Sequence, residues 1–390
     1  MNKTILYICS DYPYPPNAGS KIDMHGKVIH FVHLGWTVVV AVVVTEHVKR
    51  QGIQQKPPEW PNVEYFEILI KDSQNIADEE TIKKLQRLIE IYTPAVVWCE
   101  YARFAPAASK LRLMGAMLYF SSHNFELFHF WEKSIDHYKN SKLGFRIFRW
   151  FAGLFLEAAK IAFMEKKMHR IAHAVFYISC KDMHYMKRLY DGKCRKYWLP
   201  PLMKRQAIPV KLEKKVLDVI YLGSNFSNNV NMEGARRLLF EIIPVVQNAL
   251  PDAFCFHIVG KSGKEFFRRY ASESVVIHDF IHDLDAFLPE MDIACIPNSI
   301  GWGCKIKMIE SLAAGMPVIG SPQAFRGIPP VAAAYFECST NEDYVDAFKK
   351  MLNPDTRMLL SQNGKSVYEL WRKNGESILT EALNESLGIT

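Results

Sequence analysis

The sequence predicts an α/β protein made of two doubly wound, Rossmann-like domains in tandem. Three observations carry that expectation. At 390 residues the chain is longer than one hydrophobic core usually serves, a limit reached at about 250–300 residues. Short apolar runs alternate with segments of helical spacing, as expected when crossover helices bury a parallel sheet on both faces. Between 200 and 215 this alternation breaks at Pro200, Pro201 and Pro209, among lysines and arginines, and it resumes at Val216. The predicted organisation is therefore a first domain over 1–199, a linker over 200–215, a second domain over 216–365, and a helical tail over 366–390 that packs across the domain junction.

In the first domain, Thr4 to Cys9 reads as a buried strand, residues 20 to 34 as a helix, and Thr37 to Val44 as a second strand, which together form a βαβ unit. Between the first strand and its helix lies the proline-stiffened loop SDYPYPPNAGSK, at the strand end where open α/β sheets hold ligands. Further strands are expected at Val63 to Leu69, Ala95 to Cys99, Met117 to Phe120 and Ala174 to Ile178, with helices over 79–91 and 104–113 and one beginning near Ser179. The strand ending at Phe120 runs into SSHNFE, which brings His123 and Asn124 to the same sheet edge as Gly19. In the second domain, strands are expected at Val216 to Leu222, Phe254 to Val259, Val275 to His278, Asp292 to Ile296 and Val318 to Gly320. Helices are expected over 231–249, at 304 onward, over 341–352 and over 354–375.

Apolar residues make up 49% and charged residues 23%, values of an ordinary globular protein. The 48 basic against 41 acidic residues give +7, which favours an anionic ligand or an anionic membrane surface. No DNA- or RNA-binding motif accompanies that charge, so nucleic acid is not an expected partner. The eight cysteines lie singly, without a CxxC pair, which points to a reducing cytosol and argues against zinc. The N-terminus lacks the apolar core of a signal peptide, and no run is long enough to cross a bilayer. A cytoplasmic location follows as the expectation. Residues 125 to 170 mix aromatic side chains such as Phe125, Phe128, Trp131, Phe145 and Trp150 with Lys142, Arg146 and Arg149. That mixture suits peripheral docking on the inner membrane face through 125–160, and a buried aromatic helix is the plainer alternative.

The most informative stretch is 301–320, GWGCKIKMIESLAAGMPVIG. Gly301 and Gly303 open a helix that carries Lys305 and Lys307 in its first turn and Glu310 further in, and Gly315 ends it. Cations at a helix N-terminus oppose the macrodipole, so an anion is expected there; Glu310 is placed to accept hydrogen bonds from a polyol such as ribose. A solvated amphipathic helix is the alternative. The loop GSNFSNN, at 223–229, offers backbone and amide donors after the first strand of the second domain, or is a simple Asn-rich turn. GKSGKE at 260–265 lacks Walker spacing, and no GxGxxG, HExxH or GxSxG is present.

With these pieces placed, the chain resembles the retaining nucleotide-sugar glycosyltransferases of the GT-B fold, in particular the family-4 group. The blocks VIYLGSNFSNNVNMEGARRLL, FHIVG, HDLDAFLPEMDIACIPN and GWGCKIKMIESLAAGMPVIG follow one another in that family's order. The first domain matches more loosely, through PYPPNAGSK, HLGWTVVV and HNFE. The resemblance implies two domains facing a central cleft, with a nucleoside diphosphate sugar as donor and a glycan or lipid-linked hydroxyl as acceptor. It implies catalytic roles for His123, Lys305 and Lys307. Gly19, Ser20, Gly223, Ser224, Asn225, Gly260, Phe280, Gly303, Cys304 and Glu310 would bind the donor, and Asn17 and Asn124 would lie on the acceptor side.

The sequence departs from the family pattern at Trp302, where a first glutamate is usual, and at Ser224 and Asn228, where a basic pair is usual. The lysines and the helix N-terminus can stabilise a leaving diphosphate by themselves, so no metal and no cofactor are expected. The role implied is polysaccharide or glycoconjugate assembly at a bacterial surface. Two alternatives stay open: a nucleotide-sugar epimerase of the same fold, and a member that binds a nucleotide or glycan without catalysis.

Overall fold

The computed structural model describes residues 2–46, 60, 62–72, 76–140, 147–190 and 192–388, and of 133, 135–140 and 147–152 it describes the backbone alone. The chain forms two compact units. The first comprises Met1–Pro16, Ser20–Leu202 and Asn374–Thr390, and the second comprises Asn17–Gly19 and Met203–Lys373.

In the first unit, β1 (Asn2–Cys9), β2 (Thr37–Thr45), β3 (Val63–Ile70), β4 (Pro94–Glu100), β5 (Met117–Ser122), β6 (Ala174–Tyr177) and β7 (Arg195–Trp198) form one parallel sheet in the order β3-β2-β1-β4-β5-β6-β7. The run TVVVAVVVT supplies a strand whose interior is wholly buried, as a central parallel strand requires. Its register sets Tyr7 beside Val40 on one side and Trp98 on the other. Strand order reverses between β1 and β4, so the crevice beyond their carboxyl ends is the unit's natural ligand position.

In the second unit, β8 (Leu217–Asn225), β9 (Phe254–Lys261), β10 (Val275–His278), β11 (Ile293–Ile296), β12 (Val318–Gly320) and β13 (Phe336–Glu337) are ordered β10-β9-β8-β11-β12-β13. Here the reversal falls between β8 and β11. Leu217, Val219 and Tyr221 of β8 share a core with Phe254, Phe256 and Ile258 of β9 and with the helix residues Leu238, Ile242, Val246 and Phe348. This even-spaced apolar pattern fixes the strand register, since a slip of one residue would turn those side chains to the other face.

Several elements differ from the sequence expectation. β7 and β13 were not expected, because RKYW and FE are too short and too polar to read as strands. The helix expected over 104–113 shrinks to a 3₁₀ turn, Ala102–Phe104, and the short helix Ala105–Ala108; Met114 and Gly115 then take positive φ and turn the chain. The helix expected over 231–249 is three pieces, Asn229–Arg237, a π-helical stretch Leu238–Ile242 and Ile243–Ala249. Pro244 near the start of the last piece has no N–H to continue the ladder, which accounts for the wider turn before it. The helix expected to end near 375 runs from Pro354 to Ser386. Gly375, inside it, lets the helix approach closely: a Cβ there would lie 3.1 Å from Leu199.

Residues Met203–Lys215, inside the segment read as a linker, bond to the second unit. Met203 pairs through its N–H and C=O with the Tyr368 hydroxyl, both at 2.8 Å. Ile208 donates to the Ala314 carbonyl at 2.9 Å, and Lys214 bridges Asp218 and Asp292 at 2.5 and 2.6 Å. All eight cysteines are free. Among the described residues no helix is long and apolar enough to cross a membrane.

Candidate functional site

Each unit carries a polar cluster at its switch point. In the first unit, helix Gly19–His33 follows β1 and turns Asp23 and Lys27, one helical turn apart, onto its buried face. Both side chains are wholly buried, as are Glu100 at the end of β4 and Ser121 on β5. The Lys27 ammonium donates to Asp23 at 2.5 Å, to Ser121 Oγ at 2.5 Å and to Glu100 at 3.2 Å. Glu100 also accepts from the Tyr7 hydroxyl and from Trp98 Nε1 at 3.0 Å, and His123 Nε2 lies 2.6 Å from its other oxygen.

Burial works against the charge of Glu100, but Lys27, His123 and Tyr7 outweigh it and hold the carboxyl well below the usual carboxylate range. Burial likewise opposes the charge of Lys27, and Asp23 with Glu100 overcomes it, so the ammonium is raised. Charges this deep are tolerated only when paired. Asp23 Oδ1 is buried without a hydrogen-bond partner among the described residues. Tyr101 stacks on His123 with ring centroids 4.4 Å apart and holds φ at +75°, a strained value for a side-chain-bearing residue. Strain of this kind gathers at functional sites. Asp23, Glu100 and His123 lie close enough together to ligate an ion, and the Lys27 ammonium is paired with both carboxylates.

In the second unit, β8 delivers Gly223, Ser224 and Asn225 to the switch point, and β11 delivers the loop 297–305. Gly260 on β9 passes so near that a Cβ there would meet the Gly223 carbonyl at 1.9 Å. Gly301 and Gly303 take φ of +100° and +78°, and the helix Ile306–Ala313 follows, with Lys305 as its N-cap and no side chain capping it. The expected two-lysine first turn is thus an N-cap and the second helical residue.

Lys305, 8% exposed, donates to the Gly301 carbonyl at 2.5 Å. Lys307 donates to the Tyr221 hydroxyl and to Asn231 Oδ1, both at 3.1 Å, with its ammonium 4.2 Å from the Tyr221 ring centroid. Asn231 in turn donates to Ser224 Oγ at 3.2 Å. Burial, reinforced by the neighbouring Lys305 charge, brings the Lys307 pKa down to about 7. Glu310 is 5% exposed and is bound by Arg205, which also reaches Asp285 at 2.9 Å. Burial pushes the Glu310 carboxyl up even so.

The expected residues therefore sort into groups. Gly223, Ser224, Asn225, Gly301, Gly303, Cys304, Lys305, Lys307 and Glu310 meet around one switch point, and His123 belongs to the other cluster. Asn17 and Gly19 group with the second unit, where a Cβ on Gly19 would lie 3.0 Å from Ile306; Ser20 groups with the first. Asn124 turns its carbonyl to Ser122 Oγ at 3.1 Å. Phe280 packs edge-on against His282 at 5.1 Å, after β10 and away from the reversal of strand order. Lys142, Phe145 and Arg146 of the expected membrane-facing stretch lie outside the described residues, as do the side chains of Arg149 and Trp150.

Asp23, Lys27, Glu100, Tyr101, Tyr221, Asn231 and Arg205 were not expected as site residues. A usable signal existed for two of them. Asp23 and Lys27 stand at i, i+4 among the apolar positions of a helix, where an unpaired charge would be costly.

Two parallel sheets with reversed strand order, each carrying a polar cluster at the reversal, define a two-unit Rossmann-like protein of the GT-B glycosyltransferase fold. Residues 217–353, within the second unit, match the family model of glycosyl transferases group 1. Solved structures share the fold over nearly its whole length. Sucrose-phosphate synthase from Thermosynechococcus elongatus superposes with a TM-score of 0.70 at 13% identity, covering 99% of this chain and 100% of that one. WaaG, a glycosyltransferase involved in lipopolysaccharide biosynthesis, gives 0.64 at 14%, covering 98% and 100%. HepE from Anabaena, in complex with UDP and glucose, gives 0.64 at 11%, again covering 98% and 100%. No curated protein matches by sequence.

Proposed function

We propose that the chain transfers a sugar from a nucleoside diphosphate sugar to a hydroxyl acceptor, with retention at the anomeric carbon and without a metal. The observation that carries this reading is the pair of largely buried lysines at the uncapped N-terminus of helix Ile306–Ala313. Neither the helix dipole nor burial favours cations there, and a diphosphate would offset both penalties. Departure of the nucleoside diphosphate builds negative charge on its outer phosphate. An ammonium about 4 Å away at an effective dielectric near 20 attracts that charge by about 4 kcal/mol, and only the part that grows in the transition state accelerates the reaction.

In this reading Glu310 holds the ribose hydroxyls, and Gly223, Ser224, Asn225, Gly260, Gly303 and Cys304 line the nucleotide. The departing phosphate takes the acceptor proton. A lipid-linked or glycan acceptor is supported by Phe155, Leu156 and Phe163, which stand 63, 73 and 59% exposed on a helix that also carries Lys160, Lys166 and Lys167. A place in surface glycoconjugate assembly on the cytoplasmic face of a bacterial membrane is the matching role.

The test is a thermal-shift screen against UDP, GDP, ADP, TDP and CMP and their sugars, followed by assay of the stabilising sugar nucleotide with and without acceptors. One nucleoside diphosphate should stabilise the protein, and turnover should require an acceptor. Stabilisation by none of them would overturn the reading. Conversion of donor without acceptor would replace transfer with epimerisation.

A further inference from the structure

We propose that Arg205 is a positioning residue of the nucleotide site, holding one carboxylate oxygen of Glu310 so that the other is presented, charged, to the ribose hydroxyls. The inference rests on the assignment of Glu310 above and adds a residue from a segment that reads as linker.

The geometry is specific. Arg205 leaves the chain two residues after Met203, whose backbone is pinned on both sides by the Tyr368 hydroxyl, so the side chain departs from a fixed point. Its NH2 group binds Glu310 Oε1 and its NH1 group binds Asp285 Oδ1 at 2.9 Å. The guanidinium fork is thereby oriented by two carboxylates, of which Asp285 is 60% exposed and Glu310 only 7% by side chain. Among the described residues no hydrogen bond engages Glu310 Oε2, while Glu310 lies about one turn from the uncapped helix end that carries Lys307. A planar, permanently charged fork is the group best suited to fix a carboxylate in one orientation.

The alternative is an ion pair that only ties residues 203–215 to the helix. The two differ in what happens to the charge of Glu310. The groups facing that carboxyl are Arg205 from the 203–215 segment, Asp285 from the short helix Leu284–Phe287, and Lys307 on its own helix. Asp285 opposes its ionisation, Lys307 sits near the edge of its own charge state, and Arg205 is the strongest group favouring the carboxylate. Losing Arg205 therefore leaves Glu310 protonated to a higher pH, and a protonated carboxyl presents one acceptor fewer to a pair of hydroxyls.

The test measures binding of the nucleoside diphosphate selected by the screen, and of its 2′,3′-dideoxy counterpart, to the wild type, Arg205→Gln and Arg205→Lys, by calorimetry between about pH 5 and 8. Arg205→Gln should weaken the ribonucleotide by about tenfold or more, the scale of a lost charge-assisted hydrogen bond, and leave the dideoxy compound nearly unchanged. The low-pH loss of ribonucleotide affinity should move to higher pH, with Arg205→Lys intermediate. Equal weakening of both compounds, or an unmoved pH profile in a folded variant, overturns the proposal. A wild type that binds the two compounds equally overturns the assignment of Glu310 instead.

Discussion

Lys307 is the residue whose chemistry is most exposed to measurement. Its pKa near 7 comes from burial and from the Lys305 charge, and an anion beside it would restore the ammonium. The sign follows from linkage. Binding of a diphosphate takes up a proton wherever the free site is neutral, so the Lys307 contribution to affinity is greatest below about pH 7 and falls by up to about tenfold per unit above it. Calorimetry in buffers of different ionisation enthalpy should show this uptake near pH 8, and Lys307→Met should bind weakly with no such dependence. In the first unit, Lys27 pairs with two wholly buried carboxylates. Lys27→Met strands them, and a loss of about 3–5 kcal/mol in denaturant unfolding is expected. Reverting that loss with Asp23→Asn in the same chain would show the penalty to be one of charge rather than of shape.

At the scale of elements, caps and close approaches decide what the chain tolerates. Glu165, on helix Ile147–Ile171, accepts from the Glu126 N–H at 2.8 Å and so caps the helix Glu126–Asn140 that follows the His123 segment. Burial, aided by the Glu126 charge, raises its pKa to about 8. Its folded value lies above its unfolded one, so the folded state retains a proton that the unfolded chain has released. Stability therefore falls as pH rises from about 4.5 to 8. Glu165→Gln should melt progressively higher than the wild type across that window when thermal unfolding is followed. Between β8 and β9, Gly260 permits a backbone approach that no Cβ allows. Gly260→Ala should cost about 1–3 kcal/mol by overpacking and should distort the neighbouring Gly223 turn, lowering nucleotide affinity together with the melting temperature.

For the molecule as a whole, the last helix belongs to two cores. Leu360 packs in the second unit, while Leu379, Ala382 and Leu383 pack in the first, where the Tyr119 hydroxyl also donates to the Ala382 carbonyl at 2.6 Å. Leu379→Ala or Leu383→Ala should each cost about 2–5 kcal/mol in a transition reporting the first unit. A chain ending at Lys373 should lose that transition altogether.

How much of this was legible depends on the range of the interactions involved. The central strands could be read because their apolar runs are local statements about burial, and the glycine-led helix because Gly301, Gly303 and the lysines lie within a few residues of one another. Edge strands β7 and β13 could not, because RKYW and FE carry no apolar run of their own and form strands only where a neighbour offers its ladder. The same limit hid Glu100, whose partners come from 73 residues upstream and 23 downstream, and Arg205, whose partner lies 105 residues away. By itself the sequence determined the α/β alternation, the family blocks of the second unit and the anion-seeking helix, because each is carried by periodicity or by residues adjacent in the chain. Only the tertiary structure decided which charges are paired, that Lys307 sits near neutrality, and that Arg205 holds Glu310, because desolvation and charge pairing act through space between segments that share no local signal.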